Sequence, residues 1–487
     1  MKDMKRIFGT LLCSAMILSY APSMFAQETT TETTTEQTTQ QNTKPVKESP
    51  LNKEDIQKII DVYNSILDKY IEDVDKNTLL QGALEGMVSS LGDPYSEYLD
   101  AEKANMFDES IEGSFSGIGV QFTLQNGQVV IISAIADTPA ERAGLQPNDI
   151  ILEADGEKLL DKNTSEIVKL IRGEVGSKVT LKIQRGSTTF DVTVERAEIP
   201  VVSVTGEIDK KNKAIGHIKI SQFSATTAKE LEEAVTKLRK EGAKAFVIDL
   251  RNNPGGLLDQ AIKMGNMFLK QGQNILQMQE PHADPVPIPA NDVLYGKFKI
   301  KEPYAVLING GSASASEILA AAIGENTDYP LVGKKTFGKG TAQNITSKSE
   351  LGELKLTVAK WLTPKGTWIH KTGVNPDVEV APEPLSEAIL LNYKEKLQEG
   401  DSNDYVKSAI VMLRAFGYEI ESDYIFDASV KKAVEKFQAE HDLNVDGIIT
   451  GDTATALNTA AREYLQTHDS QYDKAVESVK KLLGQNG

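Results

Sequence analysis

Three serines in five residues, Ser312-Ala313-Ser314-Ala315-Ser316, stand where the apolar run Tyr304 to Ile308 gives way to a helical pattern carried by Ile318, Leu319 and Ile323. A hydroxyl at such a strand-to-helix turn is presented outward, and the N–H groups of the helix start can hold a developing negative charge. The chemistry that suits this arrangement is nucleophilic attack through a tetrahedral oxyanion. The same letters also fit plain capping, because Ser314 with Glu317 spells a capping box and Gly310-Gly311-Ser312 is ordinary turn chemistry. The residues alone do not choose among the three hydroxyls.

A serine nucleophile needs a base. The five histidines, His217, His282, His370, His441 and His468, stand in no motif that pairs one with an acid and a serine, which weakens a Ser-His-Asp reading. Lys339 stands in Phe337-Gly338-Lys339-Gly340-Thr341-Ala342-Gln343, framed by glycines that let the backbone pack closely enough to dry its side chain. Drying is required, since a lysine with an ordinary pKa of about 10.4 must be brought toward about 7 to 8 before it can accept a proton. Should Ser314 be the attacking hydroxyl, oxyanion donors are expected from the N–H of Ala315, the residue after it, and from Gly255 or Gly256 in the loop Asp249-Leu250-Arg251-Asn252-Asn253-Pro254-Gly255-Gly256. No His, Asp or Glu cluster has metal-ligand spacing and no glycine loop has phosphate-binding character, so neither metal nor cofactor is expected.

These loops require strands that end together. Apolar runs near Ala214 to Ile220, Ala245 to Leu250, Tyr304 to Ile308 and Leu354 to Lys360, with helical patterns at Thr227 to Lys240 and Leu258 to Leu269, predict an α/β core over 201–385. Before it, 113–200 reads as short strands (129–133, 150–153, 179–184, 190–194) with one helix at 165–171. Apolar spacing from Ile56 to Tyr70 and from Leu79 to Leu91 predicts an N-terminal helical module at 51–112. It closes on the turn-rich Leu91-Gly92-Asp93-Pro94-Tyr95-Ser96-Glu97-Tyr98-Leu99, whose aromatics are expected to pack on a neighbouring domain. After the core come a linker (386–404), a compact helical domain (405–460) and a helical tail (461–487) with an amphipathic pattern suited to a partner surface.

At 487 residues the chain must divide into several domains. Its net charge of -17, with no basic run, argues against nucleic acid as a partner. Lys2, Lys5 and Arg6 followed by an apolar run to about Ala21 and Ala26 predict a signal peptide at 1–26; left uncleaved, it would anchor the chain to the membrane. The Thr- and Gln-rich 27–50 segment reads as a disordered linker. The one cysteine, Cys13, lies within the signal, so the processed chain has no thiol, and an extracytoplasmic location in the envelope or medium is expected.

Three resemblances add to this reading. Gly117-Ile118-Gly119-Val120 resembles the carboxylate-binding loop of PDZ domains, and Thr138-Pro139-Ala140-Glu141-Arg142-Ala143-Gly144-Leu145-Gln146-Pro147-Asn148-Asp149 with Asp155-Gly156 looks like the bacterial PDZ core signature. In that mode successive N–H groups receive a chain-terminal carboxylate and a strand edge takes up the peptide. The segment from Ala433-Val434-Glu435-Lys436-Phe437-Gln438 to Thr453–Leu457 resembles the peptidoglycan-binding repeat. It departs from that pattern at Asp423-Tyr424 and Phe426-Asp427.

Taken together, Tyr98-Leu99, the PDZ signature, Asp249 to Gly256, Ser312 to Glu317, Gly338 to Gln343, Trp361 to Gly366 and Gly373 to Val378 resemble the carboxyl-terminal processing peptidases, or tail-specific proteases. The resemblance implies a multidomain α+β protein with an N-terminal helical module, a PDZ β-domain, an α/β serine peptidase core and a small C-terminal helical peptidoglycan-binding-like domain. It assigns Ser314 as nucleophile, Lys339 as general base and Gln343 as the residue that orients the lysine. Arg172, after the PDZ helix, becomes a candidate for gating. The implied partners are protein substrates with free C-terminal tails, peptidoglycan, and a second copy in a homodimer. The competing reading is an inert wall-bound PDZ scaffold, against which the intact Ser314, Lys339 and Gln343 set counts.

Overall fold

The computed structural model describes residues 52–485 apart from 126, 136, 350 and 351. The predicted signal peptide (1–26) and the whole of the predicted Thr/Gln-rich linker (27–50) therefore lie outside the described residues, as do residues 486 and 487 of the tail. The chain forms two units, 1–74 and 75–487. The described part of the first, 52–74, carries helix α1 (Lys53–Lys69), started by Asn52, whose side chain accepts from the Asp55 N–H.

In the second unit, α2 (Lys76–Ser89), β1 (Glu97–Leu99) and α3 (Ala101–Glu112) lead into a β-domain. That domain comprises β2 (Ser114–Gly117), β3 (Val120–Gln125), β4 (Gln128–Ala134), α4 (Pro139–Arg142), β5 (Ile150–Ala154), β6 (Glu157–Lys158), α5 (Thr164–Ile171), β7 (Lys178–Arg185), β8 (Thr188–Glu195) and β9 (Ala197–Pro200). Its sheet runs β3-β4-β5-β7-β8, leaving β3 on an edge, and Ile131, Ile151, Leu181 and Ile183 pack under Ile167 and Ile171 of α5. The four strands and the helix expected from period and turn residues are all present, within two residues at each end.

The core contains β10 (Val204–Ile208), β11 (Ile215–Ile220), α6 (Thr227–Lys240), β12 (Ala245–Asp249), α7 (Leu258–Phe268), β13 (Asn274–Gln279), β14 (Val286–Pro289) and α8 (Asp292–Tyr295). It continues with β15 (Tyr304–Ile308), α9 (Ala315–Asn326), β16 (Leu331–Gly333), β17 (Thr341–Ser349), β18 (Gly352–Leu362) and β19 (Val378–Glu379). The main sheet has the order β10-β11-β12-β15-β16-β19, parallel from β11 onward. Strands buried on both faces read as continuous apolar runs, which is why 245–249 and 304–308 carry no alternation. Helices α6, α7 and α9 cover one face around Phe246, Ile248, Tyr304 and Leu319. A second sheet, β1-β18-β13-β14 with β17 on β18, takes its edge strand β1 from the segment read as turn-rich.

Beyond β19, α10 (Asp404–Ala415), α11 (Ala428–Glu440) and α12 (Gly451–Leu465) enclose Leu413, Phe426, Phe437 and Leu457. The final helix, α13 (Ser470–Gln485), returns to the core and lays Ala475, Val476 and Val479 against Val247, Ala305, Leu307 and Val332. This corrects the expectation that the tail's apolar stripe is free for a partner. The otherwise bare second face of the sheet uses it. The helical domain is thus an insertion between β19 and α13.

Candidate active site

Strands β12, β15 and β16 are parallel neighbours, with Asp249 opposite Leu307 and Ile308 opposite Gly333. Their C-terminal ends therefore open on one side of the sheet, and the loops 250–257, 309–314 and 334–340 meet there. Topology alone brings the asparagine-glycine loop, the serines and Lys339 together.

The three serines differ in their partners. Ser312 is fully buried; its Oγ donates to the Leu250 carbonyl at 2.8 Å and accepts from the Asn309 N–H at 3.0 Å. Ser316, equally buried, donates to the Asn253 carbonyl at 2.9 Å. Both hydroxyls are committed to stitching the two loops together. Ser314 is only part-buried and adopts φ 55° and ψ -114°, a region that non-glycine residues seldom occupy and that clusters at functional sites.

Glu317 is buried, and its carboxylate gathers four donors. Oε1 accepts from Thr336 Oγ1 (2.5 Å) and the Gly338 N–H (2.7 Å), while Oε2 accepts from the N–H groups of Ser314 (2.9 Å) and Lys339 (2.8 Å). One oxygen thus holds the backbones of both residues. Sequence reasoning saw only a cap here, because the capping-box spacing gives no sign of the second loop.

Around Lys339 the glycine frame is filled. A Cβ at Gly338 would meet the Gly373 N at 2.9 Å, and one at Gly340 would meet the His370 N at 2.9 Å. The Lys339 carbonyl accepts from Trp361 Nε1 and the Gly340 carbonyl from Trp368 Nε1, each at 2.8 Å. Lys339 Nζ lies 4.8 Å from the centre of the Tyr95 ring, and among the described residues it donates to no hydrogen-bond acceptor. Burial first, and the Lys355 charge second, lower its pKa; the Asp93 and Glu317 carboxylates oppose the shift.

Gln343 is placed beside this group without touching the lysine through a hydrogen bond. Its amide nitrogen donates to Thr341 Oγ1 (3.1 Å) and Thr357 Oγ1 (3.0 Å), and Thr357 Oγ1 in turn donates to Asp93 Oδ2 at 2.6 Å. Asp93 also accepts from Ser96 Oγ at 2.6 Å. Asp93, Tyr95 and Thr357 are therefore site residues that the sequence did not disclose. The 91–99 segment carries the signs of a turn, and its aromatic was expected merely to pack.

On the opposite side, Asn253 is fully buried and Gly255 lies against the serine loop; a Cβ at Gly255 would meet Ser314 Cβ at 2.8 Å and the Ala315 N at 2.9 Å. The Gly255 N–H donates to Asn253 Oδ1 at 2.9 Å. Gly256 is bridged to Phe223, where a Cβ would strike the Phe223 carbonyl at 2.2 Å, and its N–H has no hydrogen-bond acceptor among the described residues. No group of His, Cys, Asp or Glu with metal-holding geometry occurs among the described residues.

In the β-domain, Gly117 to Val120 lie at the mouth of a groove of about 560 Å³ between edge strand β3 and α5, lined further by Phe122, Val168 and Ile171. The Ile118 and Gly119 N–H groups donate to nothing among the described residues, as a carboxylate-receiving loop requires. Arg172 lines the same groove, pairs with Glu109 of α3 at 2.7 Å, and stacks over Phe115 at 4.4 Å.

Comparison with known proteins agrees with this layout. Residues 214–380 match the model of peptidase family S41, 11–103 that of the activating protease CtpB N-terminal domain, 130–185 the PDZ domain and 402–457 the putative peptidoglycan binding domain. The chain is 40% identical over 438 residues to the carboxy-terminal processing protease CtpA of Bacillus subtilis (strain 168), covering 90% of this chain and 93% of that one. It is 37% identical over 439 residues to a probable CtpA-like serine protease of Staphylococcus aureus (strain COL), covering 89% and 87%. Among solved structures, the photosystem II D1 C-terminal processing protease is 26% identical, with a TM-score of 0.39 over 67% of this chain and 86% of that one. With PDZ domain, S41 core and peptidoglycan-binding domain in this order, the chain belongs to the carboxy-terminal processing serine proteases.

Proposed function

We propose that this protease works through a Ser314–Lys339 dyad, takes substrates by their C-terminal tails in the PDZ groove, and acts outside the cytoplasmic membrane, attached to the wall by its inserted helical domain. The observation that carries the dyad is the Glu317 oxygen shared by the Ser314 and Lys339 N–H groups. It fixes nucleophile and base loops to each other while the rival hydroxyls are used elsewhere.

In the reaction, neutral Lys339 Nζ takes the Ser314 Oγ proton as Oγ bonds to the scissile carbonyl carbon. The oxyanion is received by the Ala315 N–H and the Gly256 N–H, the glycine donor that Asn253 does not occupy. Collapse breaks the C–N bond, with the Lys339 ammonium protonating the departing amine. Water then attacks the ester carbon, Lys339 accepts its proton, and collapse returns that proton to Ser314 Oγ as the carboxyl product leaves. Gln343, through Thr357 and Asp93, orients the groups facing the lysine. Arg172, which lines the groove and pairs with Glu109, would register a tail carboxylate and so gate the site. The signal-like 1–26 segment supports export, and the family's peptidoglycan-binding domain supports attachment to the wall. A homodimer completes the proposal.

The test is digestion of an unfolded protein bearing an apolar C-terminal tail. Wild type should cleave it, and cleavage should drop below detection in Ser314→Ala and Lys339→Ala while both variants still unfold cooperatively as folded proteins. Cleavage retained at the wild-type rate by either variant would refute the dyad.

A further inference from the structure

The loop that carries the Gly256 donor is fastened to the far end of the chain. Arg251, two residues before Asn253, is part-buried between two carboxylates. Its Nε and Nη2 donate to Asp249 Oδ1 (2.9 Å) and Oδ2 (2.7 Å), at the end of β12. Its Nη1 and Nη2 donate to Asp469 Oδ1 (2.9 Å) and Oδ2 (2.8 Å), and Nη1 also reaches Gln471 Oε1 at 3.2 Å. Two-pronged guanidinium–carboxylate pairs fix orientation as well as distance. Burial would raise the Asp249 pKa, but bonds from His217 and Arg251 outweigh it and hold the carboxyl well below the usual range.

Asp469 is itself held in place. Its Oδ1 accepts from the Tyr472 N–H at 2.9 Å, capping α13, whose apolar face is packed on the sheet. The adjoining residues are tied to the strand that leaves the core: Ser470 Oγ donates to the Ala381 carbonyl at 3.1 Å and Gln471 Nε2 to the Val380 carbonyl at 2.9 Å. A rigid anchor some 220 residues away in sequence thus grips Arg251 from the side opposite Asp249. Beyond Arg251, Asn252 and Asn309 bond reciprocally at 2.9 Å. The Asn253 carbonyl accepts from the Ala313 N–H (3.0 Å) and from Ser316 Oγ. The donor loop and the nucleophile loop are in this way referenced to one clamp.

We propose that Asp469 is a positioning residue for the oxyanion loop: by holding Arg251 against Asp249 from the C-terminal helix, it sets where the Gly256 N–H stands relative to Ser314. This rests on the Ser314–Lys339 reading above. A donor displaced by less than an ångström lowers transition-state binding and leaves ground-state binding alone.

The variant Asp469→Asn separates the clamp from the cap, since asparagine caps as well as aspartate but carries no charge for the guanidinium. Its kcat on a tail-bearing peptide should fall by about 10- to 100-fold with KM unchanged. The affinity for a peptidyl boronic acid, which forms a tetrahedral adduct on the serine, should fall by the same factor. Asp469→Glu, which keeps the charge with a longer reach, should recover part of both losses, and it stands in if Asp469→Asn does not fold. Unchanged kcat and boronate affinity in the folded variant, with only a lower melting temperature, would overturn the proposal. So would equal losses in Asp469→Asn and Asp469→Glu. Failure of the wild type to cleave or to bind the boronate would instead remove the dyad reading beneath it.

Discussion

Glu317 binds two loops through four hydrogen bonds, so its replacement should be felt in both stability and rate. Glu317→Gln keeps the size but turns an amide N–H₂ toward backbone N–H groups. A buried donor left unpaired costs about 1–3 kcal/mol, and a dyad misplaced by an ångström costs on the order of 100-fold in rate. A lowered urea midpoint with kcat reduced by that order is the expected outcome. Lys339 makes a separate prediction about pH. Its folded pKa lies below that of an unfolded lysine because the site is dry. The native state therefore carries the full cost of a buried ammonium at pH below the folded pKa, and sheds it as pH rises through that pKa toward the unfolded value. Lys339→Met should accordingly unfold at higher urea than wild type below the folded pKa, with the advantage shrinking as pH rises through it. The same titration makes kcat/KM of the wild type fall as pH drops through the folded pKa. At this scale the sequence was partly legible: it offered Ser314 and Lys339 among candidates, but only burial distinguishes Ser312 and Ser316 as loop stitches. Tyr95 and Asp93 approach Lys339 from over two hundred positions away, a contact that no local spacing encodes.

Elements were more legible than contacts. Apolar runs bounded by turn residues placed β12 and β15, and 3.6-residue spacing placed α6 from Thr227 to Lys240. That three consecutive parallel strands carry the three chemical loops follows from strand order, which short apolar runs leave undetermined. The amphipathic stripe of the tail was visible, whereas its partner was not: Val479 meets the sheet inside the molecule. Val479→Ala should cost roughly 2 kcal/mol, from lost burial and the cavity left behind, read as a lower urea midpoint. Were α13 instead a free partner surface, the substitution would leave the midpoint of the isolated chain unmoved.

At the scale of the whole molecule, the design separates recognition from cutting. The PDZ loop and groove would hold a tail, the Glu317-centred loops would cut, and the inserted helical domain would attach the enzyme to the wall. Gly119 takes φ 84° and a Cβ there would lie 2.4 Å from the Thr138 side chain, so Gly119→Val should distort the loop. Affinity for a fluorescent C-terminal tail peptide should drop at least about tenfold, the loss of roughly 1.4 kcal/mol. Hydrolysis of short untailed peptides should be retained. The inactive Ser314→Ala protein should still co-sediment with purified peptidoglycan. The domain order was legible because each domain carries its own turn and glycine pattern. The insertion of one domain inside another was not, since it depends on where α13 docks.

The central claim is the pairing of Ser314 with Lys339, and acyl-enzyme trapping tests it most directly. An activated peptide ester is mixed with the enzyme, quenched in acid, and the acylated residue mapped by peptide mass spectrometry. The account predicts the acyl group on Ser314 alone, forming faster as pH rises, and no acylation in Lys339→Ala. An acyl group on Ser312 or Ser316, or acylation of Lys339→Ala at the wild-type rate, would contradict it.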